Sequence, residues 1–351
     1  MESIKNNHRI VYYDILNIMA IMAVVALHHN GIVHNFSNER IRAWTTSLIV
    51  ECICYWAVPI FLMLSGANLM KYRERYNTKV FFLKRVLKTF IPFIFWAIIM
   101  GIWKFAIGQL KINDFSIHEV LNIFFENKEE YTYYFMFLIL GIYLTMPVLS
   151  ILSDSRYKKI CWYIIISIFI FQSTIPILLQ LFGIKYNSSF SIQIGGHIIF
   201  VLLGYLLSNE EFTKDKRIII YFLAILSVSF RYIFTYYATI VSGKLNRLLF
   251  DDYVQFHSVI LAVGVFIFVK TINFDNIIKN EKIKKIIAKI AGCSFGIYLL
   301  HKIIMYYEIK IFNFNIFSWQ WRTFAILLTY LICLIIILTM KKIPFIKKMV
   351  P

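Results

Sequence analysis

Long apolar runs alternate with short basic or polar segments along the whole chain. Ten of them fall near 10–31, 45–70, 86–109, 131–152, 159–182, 191–208, 217–241, 252–272, 288–312 and 321–340. About 20 apolar residues in an α-helix cover the roughly 30 Å of hydrocarbon in a bilayer. Each run is apolar around most of its circumference, as suits helices bundled in lipid rather than amphipathic surface helices. The pattern predicts an all-α membrane protein, a polytopic bundle of about ten transmembrane helices forming a single domain over 1–351. No loop is large enough to be a separate domain, and there is no internal repeat or low-complexity tail.

Composition supports this reading. The 351 residues are 60% hydrophobic with a mean hydropathy of +0.69, more apolar surface than a soluble fold can hide. The net charge of +18 is compatible with nucleic-acid binding taken alone. Its distribution points elsewhere. With the N-terminus inside, 25 of the 37 Lys and Arg fall in inner segments, from Lys5 and Arg9 through the Lys71–Lys88 cluster to Lys341–Lys348, and only 10 in outer ones. The positive-inside rule then predicts cytoplasmic termini, with the lipid bilayer as partner and no nucleic acid. The first run is too long for a secretory signal and no small-residue cleavage site follows it. The longest outer segment, 110–130, is the acidic one, with Asp114, Glu119, Glu126, Glu129 and Glu130. All five Cys lie in or beside apolar runs and read as filler, and no metal site is expected.

The first run holds groups that an anchor does not need. It starts at Asp14, carries Asn17 one turn later and ends in His28 and His29. Ionisable residues at membrane depth are expensive and point to function. Asn17 and His28 are eleven residues, about three turns, apart and share a face, whereas Asp14 and His28 are about 21 Å apart along the axis, too far for a dyad. His28 alone could be a polar residue wetted by the interface; as a general base it would act near neutral pH. Glu51 sits at the outer start of the next run, where it can meet His28 if the two helices pack. Ser65-Gly66 makes a small notch for close packing. Arg85 and Lys88, with Lys84 beside them, are either ordinary anchoring charge or a clamp for a phosphate-bearing donor. In Ser294-Phe295-Gly296-Ile297-Tyr298-Leu299-Leu300-His301, His301 lies near mid-depth, as a buried core histidine or as a second polar wall of a cavity.

In order and spacing these residues resemble the acyltransferase family 3 integral-membrane enzymes. The match runs from Asp14-x-Leu16 and His28 through Pro59-x-Phe61-x-x-x-Ser65-Gly66 and Arg85-x-x-Lys88 ahead of Pro92. Tyr134-Phe135, Gly141-Ile142-Tyr143-Leu144 with Pro147, Gly204-Tyr205-Leu206-Leu207 and Tyr298 to His301 extend it. The resemblance implies transfer of an acyl group, often acetyl, from a cytoplasmic acyl-coenzyme A co-substrate to a hydroxyl of a cell-surface or secreted polysaccharide. It assigns His28, Asn17, Asp14, Glu51 and His301 to catalysis and Arg85, Lys88, Lys84 and Ser65 to the acetyl-CoA donor. The chain departs from the family pattern twice: Asn17 stands where the family has an Arg eleven residues before its His, and Lys88 replaces the second of two Arg. The competing class is a glycan or small-solute exporter, which mid-depth His301 and Arg231 would also suit. Self-association is left open.

Overall fold

The computed structural model describes residues 9–112 and 116–350; Lys5 and Asp114, counted above, lie outside the described residues. Among these there is no strand, and helix follows helix: α1 (Val11–His29), α2 (Ile41–Cys54), α3 (Ala57–Leu69), α4 (Thr78–Arg85), α5 (Ile91–Ala106), α6 (Ile117–Phe125), α7 (Tyr134–Leu149), α8 (Lys158–Ile168), α9 (Ile175–Leu181), α10 (Ile198–Asn209), α11 (Lys214–Ser242), α12 (Phe256–Lys270), α13 (Phe274–Ile277), α14 (Glu281–Ala291), α15 (Ser294–Phe312), α16 (Trp319–Arg322) and α17 (Phe324–Met340). The chain is an all-α polytopic membrane protein.

Six continuous helical stretches are long and apolar enough to cross a bilayer: Val11–His29, Asn38–Glu74, Thr78–Ala106, Tyr131–Ser153, Ser155–Leu181 and Lys214–Ser242. α14 and α15, bent by 52° at their junction, are long and apolar enough only when taken together, as a broken span or a re-entrant loop. The other three expected runs are helical but short, at 12, 15 and 17 residues for α10, α12 and α17. α10 is about 18 Å long at 1.5 Å per residue, less than a hydrocarbon core. The expected 191–208 helix starts late because Ser191-Ile192-Gln193-Ile194-Gly195-Gly196 takes an irregular path. Irregular backbone beside a bundle needs internal partners. Gln172 supplies them, its Nε2 donating to Ile192 O at 2.8 Å and Ile194 O at 2.9 Å.

Two π-helical segments, Val86–Phe90 and Phe169–Thr174, each end just before an Ile-Pro pair, Ile91-Pro92 and Ile175-Pro176. Proline lacks the N–H for the i−4 carbonyl and its ring collides with it; a widened turn relieves both. Lys88 rides on the first of these turns.

The centre of the bundle is the pair α3–α10. A Cβ on Gly66 would stand 1.9 Å from Val201 O, and one on Gly204 2.0 Å from Met63 O, so the helices touch backbone to backbone. Only glycine allows such an approach. α11 is turned inside out relative to a soluble helix. Ser227, Arg231, Thr235 and Thr239, spaced four apart, are buried, while Ile219, Phe222, Ile233, Tyr237 and Val241 are exposed. At the α14–α15 junction the carbonyls are taken up by side chains from elsewhere: Arg9 donates to Ala288 O, Asn17 to Ala291 O and Lys341 to Gly292 O.

Candidate functional site

Two cavities lie back to back inside the bundle. The first, about 340 Å³, is at the basic end and is lined by Asn17, Phe61, Ser65, Arg85, Lys88, Thr89, Phe135, Tyr143, Ser294 and Tyr298, among others. The second, about 380 Å³, is at the opposite end and is lined by His28, His34, Glu51, Tyr55, Phe61, Tyr131, Tyr134, Phe135, His197, Asp251, Asp252, Tyr253 and Tyr298. Phe61, Phe135 and Tyr298 belong to both.

In the first cavity Arg85 and Lys88 face the same space, Arg85 with its guanidinium 5.4 Å from the Tyr143 ring. The Arg85 Nε finds no partner among the described residues, nor does the buried Ser294 Oγ in the first turn of α15. Ser65 donates its hydroxyl to Phe61 O at 2.9 Å, which leaves the oxygen's lone pairs free to accept. Asn17 donates to Ala291 O at 3.3 Å. Lys84 is not part of this lining; its Nζ lies 3.8 Å from the centre of the Tyr76 ring. These donors and cations suit an anionic, polar ligand entering from the basic end.

The second cavity is built around the far end of α1. The His28 ring stacks on His301 with centroids 5.0 Å apart and meets Tyr131 edge-on at 6.3 Å. His301 Nδ1 lies 2.6 Å from Tyr298 O, a carbonyl that can only accept, so Nδ1 carries the proton and Nε2 has none in the neutral ring. Nε2 is buried and finds no partner among the described residues. His29 points away from this cavity. Its Nδ1 donates to Trp321 O at 3.0 Å and its Nε2 meets Thr329 Oγ1 at 2.8 Å, tying α1 to α16 and α17. Asn30 completes the anchor, donating to Ala26 O and Arg322 O while accepting from Ser47.

Glu51 reaches the same cavity as His28. Behind it, fully buried Arg231 donates to Leu249 O at 2.8 Å, Phe250 O at 3.1 Å and Glu51 O at 3.2 Å, with Glu51 Oε1 at 3.4 Å. Its guanidinium stacks 3.7 Å over the Tyr55 ring. Arg231 therefore fixes the loop that brings Asp251, Asp252 and Tyr253 to the cavity wall. The charge is matched by Glu51 and the fork by three carbonyls, which is how a cation is held at membrane depth.

The residues singled out in the sequence are thus divided. His28 and Glu51 share one cavity with His301 stacked behind His28. Asn17, Ser65, Arg85 and Lys88 share the other. Asp14 joins neither: it holds a bidentate pair with Arg9, 2.8 Å at the shortest, on the wall of a separate wide cavity at the basic end. Tyr134 was visible only as part of the family match, with no role assigned, and no spacing on their own segment marks Asp251, Asp252 and Tyr253; only the fold brings these four to His28. Arg231 was visible as a charge in mid-run, without its partners. Among the described residues no three His, Cys, Asp or Glu side chains converge as a metal site would require.

No curated protein and no solved structure matches the chain. A family model for an acyltransferase domain, that of acyltransferase family 3, matches residues 10–338, nearly the whole length. With that match over a bundle that places His28 and the Arg85–Lys88 pair in adjoining cavities, the chain belongs to the acyltransferase family 3 membrane proteins.

Proposed function

We propose that the protein is an O-acyltransferase that moves an acyl group, acetyl first among them, from acyl-CoA on the cytoplasmic side to a hydroxyl of a cell-surface or secreted polysaccharide on the other. Both termini are cytoplasmic in this reading, and the membrane is the cell membrane. The observation that carries it is the pair of abutting cavities, one lined by cations and hydrogen-bond donors, the other by a histidine among carboxylates and tyrosines. The donor's phosphates rest on Arg85 and Lys88, and its thioester arm points inward past Ser65 and Ser294. The sugar enters against Tyr55, Tyr134 and Tyr253, whose flat faces and hydroxyls suit a carbohydrate. His28 takes the proton as the acceptor oxygen bonds to the thioester carbon; the C–S bond breaks and the proton ends on the departing thiolate. Glu51 orients the acceptor hydroxyl, and His301 holds the His28 ring by stacking. Asn17 supports the site through Ala291 O, with no charge of its own.

Two variants in lipid nanodiscs and in cells test this reading. Arg85→Gln/Lys88→Gln should bind acetyl-CoA at least about tenfold more weakly, since a hydrogen bond to a charged group contributes about 1.5–3 kcal/mol, and the remaining binding should depend less on salt. His28→Ala should keep acetyl-CoA binding yet lose about 10²–10⁴-fold of acetyl transfer to surface glycan, the usual contribution of a general base. Folded variants unchanged in both measurements would put the exporter reading ahead.

A further inference from the structure

We infer that Phe61, Phe135 and Tyr298 form a partition that sets the size of the acyl group and keeps water on the acceptor side away from the donor thioester. The inference rests on the two-cavity reading above. These three rings line both cavities and so stand where the two adjoin. The ring centroids of Phe61 and Phe135 are 5.8 Å apart, and those of Phe135 and Tyr298 are also 5.8 Å apart, close to van der Waals contact for tilted or edge-on rings.

The three walls are not equivalent. Tyr298 is tied to the bundle: its hydroxyl donates to Thr132 O, and the neighbouring Tyr133 hydroxyl reaches back to Leu299 O at 2.8 Å. Phe61 and Phe135 carry no polar group and are only partly buried, so packing alone holds them. Phe61 projects from α3, whose backbone is fixed by the contact at Gly66, so its side chain is the element free to turn. Phe135 comes from the first turn of α7, beside Tyr134 of the acceptor cavity. A small thioester head can slip between the two phenyl rings. A longer acyl chain needs room that the rings occupy.

The same rings account for the choice between transfer and hydrolysis. Water in the acceptor cavity competes with the sugar hydroxyl for the thioester carbon. Its attack would form the C–O bond, break the C–S bond, give a free carboxylic acid and send the proton to the thiolate. A closed partition denies water that approach until a bound acceptor displaces it.

The experiment uses full-length protein in nanodiscs, with acetyl-CoA and hexanoyl-CoA as probes and no acceptor, following free thiol release. Wild type should bind acetyl-CoA and release little thiol from either probe. Phe135→Ala and Phe61→Ala should raise acceptor-independent release about tenfold or more. They should also narrow the preference for acetyl-CoA over hexanoyl-CoA in binding, since each methylene in a tight apolar site is discriminated by about 10- to 200-fold. Phe135→Trp, which fills the gap further, should lower release and exclude hexanoyl-CoA more strongly; it serves where an alanine variant fails to fold. Variants that bind acetyl-CoA as wild type does, with unchanged release and unchanged chain-length preference, overturn the partition while leaving the acyltransferase reading intact. Wild type that binds neither probe overturns both.

Discussion

Glu129 and Glu130 show how much a single position in the bundle decides. Both are buried at the end of the 110–130 segment. The two carboxylate oxygens of Glu129 have no partner among the described residues, and burial pushes its pKa up to about 7. For Glu130 burial also acts upward, but the charges of Lys302 and Lys104, the latter bonded at 2.9 Å, hold its carboxyl below the ordinary value. A carboxyl whose pKa is raised on folding stabilises the fold below its unfolded value and loses that contribution as pH rises through the folded one. Glu129 should therefore make the detergent-solubilised protein less heat-stable between about pH 4.5 and pH 7, and Glu129→Gln should flatten that stretch of the Tm profile. An unchanged slope in the variant would assign the dependence to other groups. The sequence displayed the acidity of this segment but not its division, because the partners come from α5 and α15. The same reason separates His28 from Asn17. Their shared helix face was legible, whereas the partition that puts them in different cavities comes from α3, α7 and α15.

At the scale of elements, hydropathy located nearly everything and sized some of it wrongly. The Ser65-Gly66 notch was readable as a packing site; that its partner is Val201, with Gly204 answering against Met63, depends on α10 lying alongside. The π-turns ahead of Pro92 and Pro176 were not read from the sequence, and the first of them carries Lys88. The late start of α10 was hidden because Ile192, Ile194 and Ile198 continue the apolar run through an irregular stretch. The glycine contact gives a paired expectation. Gly66→Ala or Gly204→Ala forces backbone atoms apart and should lower stability by about 1–3 kcal/mol or more. Gly141→Ala meets nothing within 4 Å of its new Cβ, so it should be neutral or stabilising by up to about 1 kcal/mol, as alanine is in a helix interior. Thermal unfolding of the three variants in one detergent checks the contrast, and equal losses at all three would remove the special standing of the α3–α10 contact.

For the molecule as a whole, the thin place is where the two cavities meet. In the proposed reading the donor meets Arg85 from one face and the acceptor meets His28 from the other, with the Phe61–Phe135–Tyr298 rings lining both cavities between them. On that reading most of a transmembrane voltage would fall across those rings rather than across the full bilayer. In the proposed reaction the acyl group travels outward uncharged, while the proton taken at His28 has to reach a thiolate on the cytoplasmic side. That is one positive charge moving inward through the steepest region of the field, worth up to about 2.3 kcal/mol per 100 mV. A negative-inside potential should accelerate acetylation in reconstituted vesicles and a reversed one should slow it, with a potassium gradient and ionophore setting the voltage. Rates indifferent to voltage would mean that the proton returns by another route. An energised membrane would thus help to drive the modification, through the placement of three aromatic rings rather than through any ion pump.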